Sequence, residues 1–236
     1  MIPVGSRPIL WHVMKYYAHF GHKDFILCLG YGAAAIKDFF LRYDECVSND
    51  FILSEGATKV QMLNSDIQDW KLTFIDTGLN ANIGQRLKAV EEYIGQDEVF
   101  LANYSDGLTD LHLPDQIDHF SKLRKVASLL SVRPRFSTHV ILADPDSLVT
   151  SIQDMDKTGI RINGGFFIFS REIFSYIRDK EELVHEPFQR LMKEGKLVAY
   201  NFDGFWASMD TFKDKQQLEQ LLGQGTPPWV VWKNLK

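Results

Sequence analysis

The sequence predicts an α/β fold: a mainly parallel sheet with helices on both faces, passing into a mixed α+β second half. Three observations carry that reading. Up to Lys125, apolar residues spaced i, i+3, i+4 and i+7 alternate with short continuous apolar runs, and such helix–strand alternation builds crossover units on a parallel sheet. After Lys125, strand-like runs follow one another without long helices between them. No repeat, low-complexity tract or linker interrupts the 236 residues, so one domain spanning 1–236 is expected.

The elements follow in order. Leu10, Val13, Met14 and Tyr17 mark one face of a helix, with Pro8 in its first turn and Gly21 at its end. Phe25–Leu29 reads as a strand buried on both faces, and Ile36, Phe39, Phe40 and Tyr43 repeat the helical spacing. Lys71–Ile75 is a short strand, Ile83, Leu87, Val90 and Ile94 mark a helix, Glu98–Ala102 is a buried strand, and Pro114 opens a further helix. In the second half Val126–Val132, Thr138–Ala143, Leu148–Ile152 and Phe166–Phe169 are strand-like. Helical stretches near Ile173 and Phe188 and a last helix from Thr211 to Leu222 complete the chain.

Composition narrows the function. Apolar residues make up 45% of the chain, enough for a sizeable core. The formal charge of -5 comes with acids and bases interspersed, which argues against a nucleic-acid partner and its basic stripe. A small anionic substrate needs only a few local cations. The two cysteines, Cys28 and Cys46, make neither a disulfide framework nor a zinc site, and Cys28 is expected as a buried small hydrophobe. No run approaches the roughly 18 apolar residues of a membrane span, and Met1–Gly5 lacks a signal-peptide pattern. A reducing cytoplasm is the expected compartment.

Several short motifs could carry chemistry. Gly30-Tyr31-Gly32-Ala33-Ala34-Ala35 fits the G-x-G-x-x-A dinucleotide pattern. The acid that should end a second strand is missing, since Asp50 precedes the apolar Phe51–Leu53. A plain strand-to-helix turn is the favoured account of the small residues. His12 and His19 are two helical turns apart, too far to share a metal, so packed or solvated histidines are expected. Asp106, in Tyr104-Ser105-Asp106-Gly107, follows a strand, where an α/β sheet places its ligand crevice; it could hold a divalent cation, or Asp-Gly could simply form the turn. Asp210 could cap the last helix or bind metal, while Thr211 with Asp214 has the form of a capping box. Arg86 could grip phosphate or be solvated. Glu186 opens a helix, where the dipole alone favours an acid.

Taken together, these segments resemble the glucose-1-phosphate cytidylyltransferases among the sugar-phosphate nucleotidyltransferases. The resemblance runs over nearly the whole chain. It rests on Arg7-Pro8-Ile9-Leu10, Lys23–Tyr31, Asp76-Thr77-Gly78, Arg86-Leu87-Lys88, Asp106-Gly107, Asn163-Gly164-Gly165, Glu186-Pro187, Gly204-Phe205-Trp206, Met209-Asp210-Thr211 and Pro228-Trp229. The last sets favour the cytidylyl branch over the thymidylyl and uridylyl ones. The resemblance implies a Rossmann-like fold, Mg²⁺ held by Asp106 and Asp210, Arg86 near the nucleotide, and Gly107, Asn163, Gly164 and Glu186 among the substrate contacts. It implies attack by a sugar 1-phosphate on the α-phosphorus of CTP, with release of pyrophosphate, by a homo-oligomer.

The chain also departs from the family pattern. The family opens with a strand and a Gly-rich, Arg-bearing loop, then Pro-Lys-Pro, and Met1–Gly5 matches the segment after that Lys. A reading frame that starts earlier, and no nucleotide transfer by the chain as written, are therefore expected. Ile83-Gly84-Gln85 replaces a Thr-Gly-Gly, Ser105 replaces a Gly, and Asp154 stands where the family has a Lys facing the sugar phosphate. Two rival readings remain: a degenerate member that binds a sugar nucleotide or partner subunit without catalysis, and an oxidoreductase resting on the Gly30 turn alone.

Overall fold

The computed structural model describes residues 1–134, 139–225 and 227–233. Thr138, the expected start of one strand, lies outside them. In chain order, a two-residue ladder of β1 (Pro3–Val4) and β2 (Arg7–Pro8) leads into α1 (Ile9–His19), β3 (Asp24–Leu29) and α2 (Ala33–Leu41). A ribbon of β4 (Phe51–Ser54) and β5 (Lys59–Met62) precedes β6 (Lys71–Asp76), α3 (Ile83–Ala89), β7 (Val99–Asn103), β8 (Gly107–Thr109) and α4 (Leu113–Leu123). The second half holds β9 (Ala127–Val132), β10 (His139–Ala143), β11 (Val149–Asp154), β12 (Ile162–Ser170), α5 (Ile173–Tyr176), α6 (Glu186–Lys193), β13 (Leu197–Phe202), β14 (Trp206–Ser208) and α7 (Phe212–Gly223).

The central sheet runs β13-β9-β12-β7, with β13 parallel to β9 and β12 antiparallel to both neighbours. Alternate residues of its strands feed two cores, as the period of two requires. Leu101, Leu130, Val132 and Phe166 point to a core shared with Val13, Tyr16 and Tyr17 of α1 and Leu218 of α7. Phe100, Ala127, Phe167 and Phe169 point to the other, with Leu87 of α3, Ile173 of α5 and Leu191 of α6. Helices therefore cover both faces. The first core also joins Val4 to Trp229 and Val230, so both ends of the described chain pack into one body.

β3 pairs in parallel with β6 alone, and β7 pairs with β12 alone, so each leaves one edge without a strand partner among the described residues. This corrects one expectation. Phe25, Ile26 and Leu27 are half-buried, Cys28 is exposed and only Leu29 is buried. A strand with one bare edge lacks the neighbour that would cover its flank. For the same reason no residue of α2, which packs over this pair, is buried. The Cys28 thiol nevertheless sits in a notch where burial pushes it up to about 11, against the opposing Arg86 charge.

Other expectations need smaller corrections. The helix expected through Ile94 ends at Ala89 and continues as a 3-10 turn over Glu91–Ile94. The pairing of β4 with β5 adds a ribbon that the apolar pattern does not announce. His12 is a packed histidine whose Nε2 lies 2.9 Å from the Val4 carbonyl. A buried polar knot ties the first helix to the loop before β6. Arg7 stacks over the Tyr43 ring and donates to the Asp44 carbonyl at 2.6 Å, while Asp66 accepts from Ser48 and Tyr43 and faces Arg7 and Lys15.

Candidate active site

Asp106 stands on a tight loop between β7 and β8. The Asn103 side chain accepts from the Ser105 amide at 2.6 Å, which turns the chain at once after the strand. Ser105 adopts φ 73°, the left-handed region where glycine is at ease. β14 then pairs antiparallel with β8, placing Ser208 opposite Gly107. The Met209 amide donates to the Asp106 carbonyl at 3.0 Å. This short ladder brings together two loops from opposite ends of the sequence. Burial first, and the Asp210 charge second, push the Asp106 carboxyl up to about 6.

Asp210 is exposed and accepts from Ser208 Oγ at 2.7 Å. It is not the helix cap. Thr211 caps α7, and Asp214 answers with bonds from the Thr211 amide and hydroxyl. The expected capping box is present, and the Asp210 carboxylate is left for other work. Among the described residues no group of three or more His, Cys, Asp or Glu could hold a metal by protein ligands alone. The Asp106 and Asp210 carboxylates are near enough for their charges to interact, and such a pair suits Mg²⁺, which takes one or two protein carboxylates and completes its shell with phosphates and water.

Asn163 and Gly164 lie on the same floor. β12 breaks register between Asn163 and Phe167, and Gly165 takes φ 74° with the Tyr104 ring packed against it. Asn163 donates to the Tyr104 hydroxyl at 3.3 Å, and Trp206 Nε1 donates to the Gly164 carbonyl at 2.8 Å. A Cβ on Gly107 would approach Trp206 Nε1 to 3.3 Å and one on Gly164 to 3.2 Å. Asp106, Gly107, Asn163, Gly164 and Asp210 thus form one cluster around Trp206 and Tyr104, two residues to which the sequence reading gave no role in the site. Burial raises the Tyr104 phenol; Asn163 opposes the shift and the charges of Glu182 and Asp106 add to it. Glu186 is exposed in the first turn of α6, where the helix dipole accounts for it.

Arg86 lies beyond the carboxyl ends of β3 and β6. Its Nη1 donates to Thr77 Oγ1 at 2.8 Å and its Nη2 to the Leu79 carbonyl at 3.4 Å. No carboxylate pairs with it among the described residues, as is true also of Arg124, Arg171 and Arg178, whereas Arg7, Arg42, Arg133, Arg161 and Arg190 each have one. An arginine without an acid is a ready anion partner. Asp154, by contrast, ends β11 with Lys157 at 2.6 Å and His139 at 3.3 Å, so the Lys157 ammonium already meets its charge.

No family model matches the chain. It is 38% identical over 236 residues to a glucose-1-phosphate cytidylyltransferase of Salmonella typhimurium, covering 98% of this chain and 90% of that protein. The chain belongs to the glucose-1-phosphate cytidylyltransferase family. Solved structures carry the same fold. The crystal structure of HddC from Yersinia pseudotuberculosis matches with TM-score 0.65 at 20% identity, over 94% of this chain and 88% of that one. Apo UDP-glucose pyrophosphorylase matches with TM-score 0.68 at 14% identity, over 95% and 90%. The fold is the Rossmann-like α/β fold of the sugar-phosphate nucleotidyltransferases, and members of this family are enzymes. No helix among the described residues is long and apolar enough to cross a membrane.

Proposed function

We propose that the protein joins a sugar 1-phosphate, glucose 1-phosphate in particular, to the cytidylyl group of CTP, forming a CDP-sugar and pyrophosphate. The observation that carries this reading is the carboxylate pair Asp106–Asp210, assembled by the β8–β14 ladder in a chain of this family. The two would hold Mg²⁺, which supplies charge neutralisation between two phosphate anions. Arg86, lacking an acid partner, grips nucleotide phosphate. Gly107, Asn163 and Gly164 form a floor where backbone and amide groups meet the substrate closely, and Glu186, in the first turn of α6, is taken as a further substrate contact on the family resemblance. The attacking phosphate is already ionised near neutral pH, so no strong base is needed. What the chain contributes is position: it holds two anions in line and keeps the loops that carry the acids rigid.

The whole chain acts as one domain, supported by a core that reaches from Val4 to Val230. Homo-oligomerisation is supported by the β4–β5 ribbon, whose register puts Phe51, Leu53, Val60 and Met62 on one largely uncovered face. Two free cysteines fit the cytoplasm. The test is pyrophosphate release from CTP with glucose 1-phosphate and Mg²⁺. Release that depends on both substrates and is abolished in Asp106→Asn and Asp210→Asn supports the proposal. A second reading, a binder without turnover, draws on the bare strand edges of β3 and β7. CTP binding with no pyrophosphate release would select it.

A further inference from the structure

Gly30 opens the glycine motif, yet its backbone does not require glycine. The two glycines of Gly30-Tyr31-Gly32 differ in what they need. Gly32 has φ 76° and open space where a Cβ would stand, so it is glycine for its conformation as the N-cap of α2. Gly30 has no left-handed φ, but a Cβ there would fall into the Arg86 guanidinium, 2.8 Å from Cζ and closer still to both terminal nitrogens.

The neighbouring bonds complete a seat. Leu29, the last residue of β3, gives its carbonyl to the Thr77 amide and to Thr77 Oγ1, both at 2.9 Å. Thr77 Oγ1 in turn accepts from Arg86 Nη1. The guanidinium is therefore fixed from one side by Thr77, from another by the Leu79 carbonyl, and lies against the bare Cα of Gly30. Any side chain at position 30 lifts it off. An arginine tip is flexible and can swing away cheaply, so the fold tolerates the change while the charge moves.

We propose that Gly30 is a positioning residue: by presenting no side chain it seats the Arg86 guanidinium against Thr77, in the place from which Arg86 meets nucleotide phosphate. The proposal rests on the reading of Arg86 given above. The experiment compares Gly30→Ala, Arg86→Ala and the double variant by titrating CTP with Mg²⁺ and by following the Arg86 Nε–H resonance without nucleotide. Gly30→Ala is expected to melt within about 3 °C of wild type, to shift the Nε–H signal, and to weaken CTP binding roughly tenfold, with Arg86→Ala weaker still. The double variant is expected to bind no worse than Arg86→Ala alone, since a seat without an occupant has nothing left to lose. An unshifted Nε–H signal in Gly30→Ala overturns the seat. So does wild-type CTP affinity in Gly30→Ala, or losses that multiply in the double variant, as a purely structural role in the β3–α2 turn would give. If wild type binds no CTP, or Arg86→Ala binds it normally, the nucleotide role of Arg86 falls and the proposal with it, whatever the resonance shows.

Discussion

Replacing Asp106 by asparagine should make the metal-free protein more stable while it destroys activity. Asp106 is half-buried, and burial together with the Asp210 charge lifts its carboxyl from the usual 3.8 to about 6. A raised carboxyl is neutral in both folded and unfolded chains below about pH 4, where it costs nothing. Between about 4 and 6 the unfolded chain ionises first, and folding stability falls as pH rises through that window. A carboxyl raised this far, by about two pH units, costs roughly 3 kcal/mol to ionise in the folded chain; discounting for partial solvent access leaves about 1–3 kcal/mol at pH 7–8. Asparagine keeps the shape without the charge. In a chain of this size that is roughly 3–8 °C in melting temperature. The assay is thermal unfolding of both proteins in chelator at pH 4.5 and pH 8. The asparagine variant should melt higher at pH 8, with the gap shrinking at pH 4.5. An Asp106→Asn protein that melts at or below wild type at pH 8, or a gap that does not change with pH, would refute the reasoning.

The remaining predictions use the same measurement. Mg²⁺ should raise the melting temperature of wild type and leave Asp106→Asn and Asp210→Asn nearly unmoved; equal shifts in all three would place the ion elsewhere. Ser105→Gly relieves a left-handed residue and should stabilise by about 1 kcal/mol, so a fall in melting temperature would show that the Ser105 side chain earns its place. Gly84→Ala should destabilise by about 2 kcal/mol or more, because a Cβ would strike the Glu181 carbonyl and crowd the Leu183 amide, both rigid backbone. Asp66→Ala should cost roughly 3 kcal/mol by stranding Arg7. Burial alone would raise the Asp66 carboxyl, but bonds from Ser48 and Tyr43 and the Lys15 charge hold it below the usual range. Its contribution is therefore present above about pH 4 and lost as pH falls further, an acid-side loss that Asp66→Ala should abolish.

Much of the fold was legible because periodicity reports directly on burial. The stripes of α1, α3 and α7 and the runs of β7, β9 and β12 record which faces meet a core. The capping box at Thr211 and Asp214 was legible because a cap is a local bond. Cys28 was misread for a physical reason. An apolar run reveals what a strand prefers, not whether a neighbour lies beside it. The β4–β5 ribbon was missed because Glu55, Gly56 and Ala57 turn with positive φ at all three residues, and no Asn-Gly or Asp-Gly pair announces it. At the candidate site, each loop acid was visible as one of two possibilities. What joins Asp106 to Asp210 is a pairing between segments distant in sequence, which no local pattern encodes; the family resemblance supplied it. Tyr104 and Trp206 stand inside the quoted segments, but their place in the cluster was missed because an aromatic ring on a floor of glycines looks like core material.

The β8–β14 ladder also sets a clock. Its three residue pairs, Trp206 with Thr109, Ala207 with Leu108 and Ser208 with Gly107, close the longest loop that touches the carboxylates. Long loops close late, because the chain entropy they cost is recovered only when the contact is complete. A folding chain can therefore have its central sheet in place while the two acids are still strangers. Divalent cation affinity would then arrive only with the last step of assembly, and a metal-sensitive signal in refolding would report completion of the fold rather than its beginning.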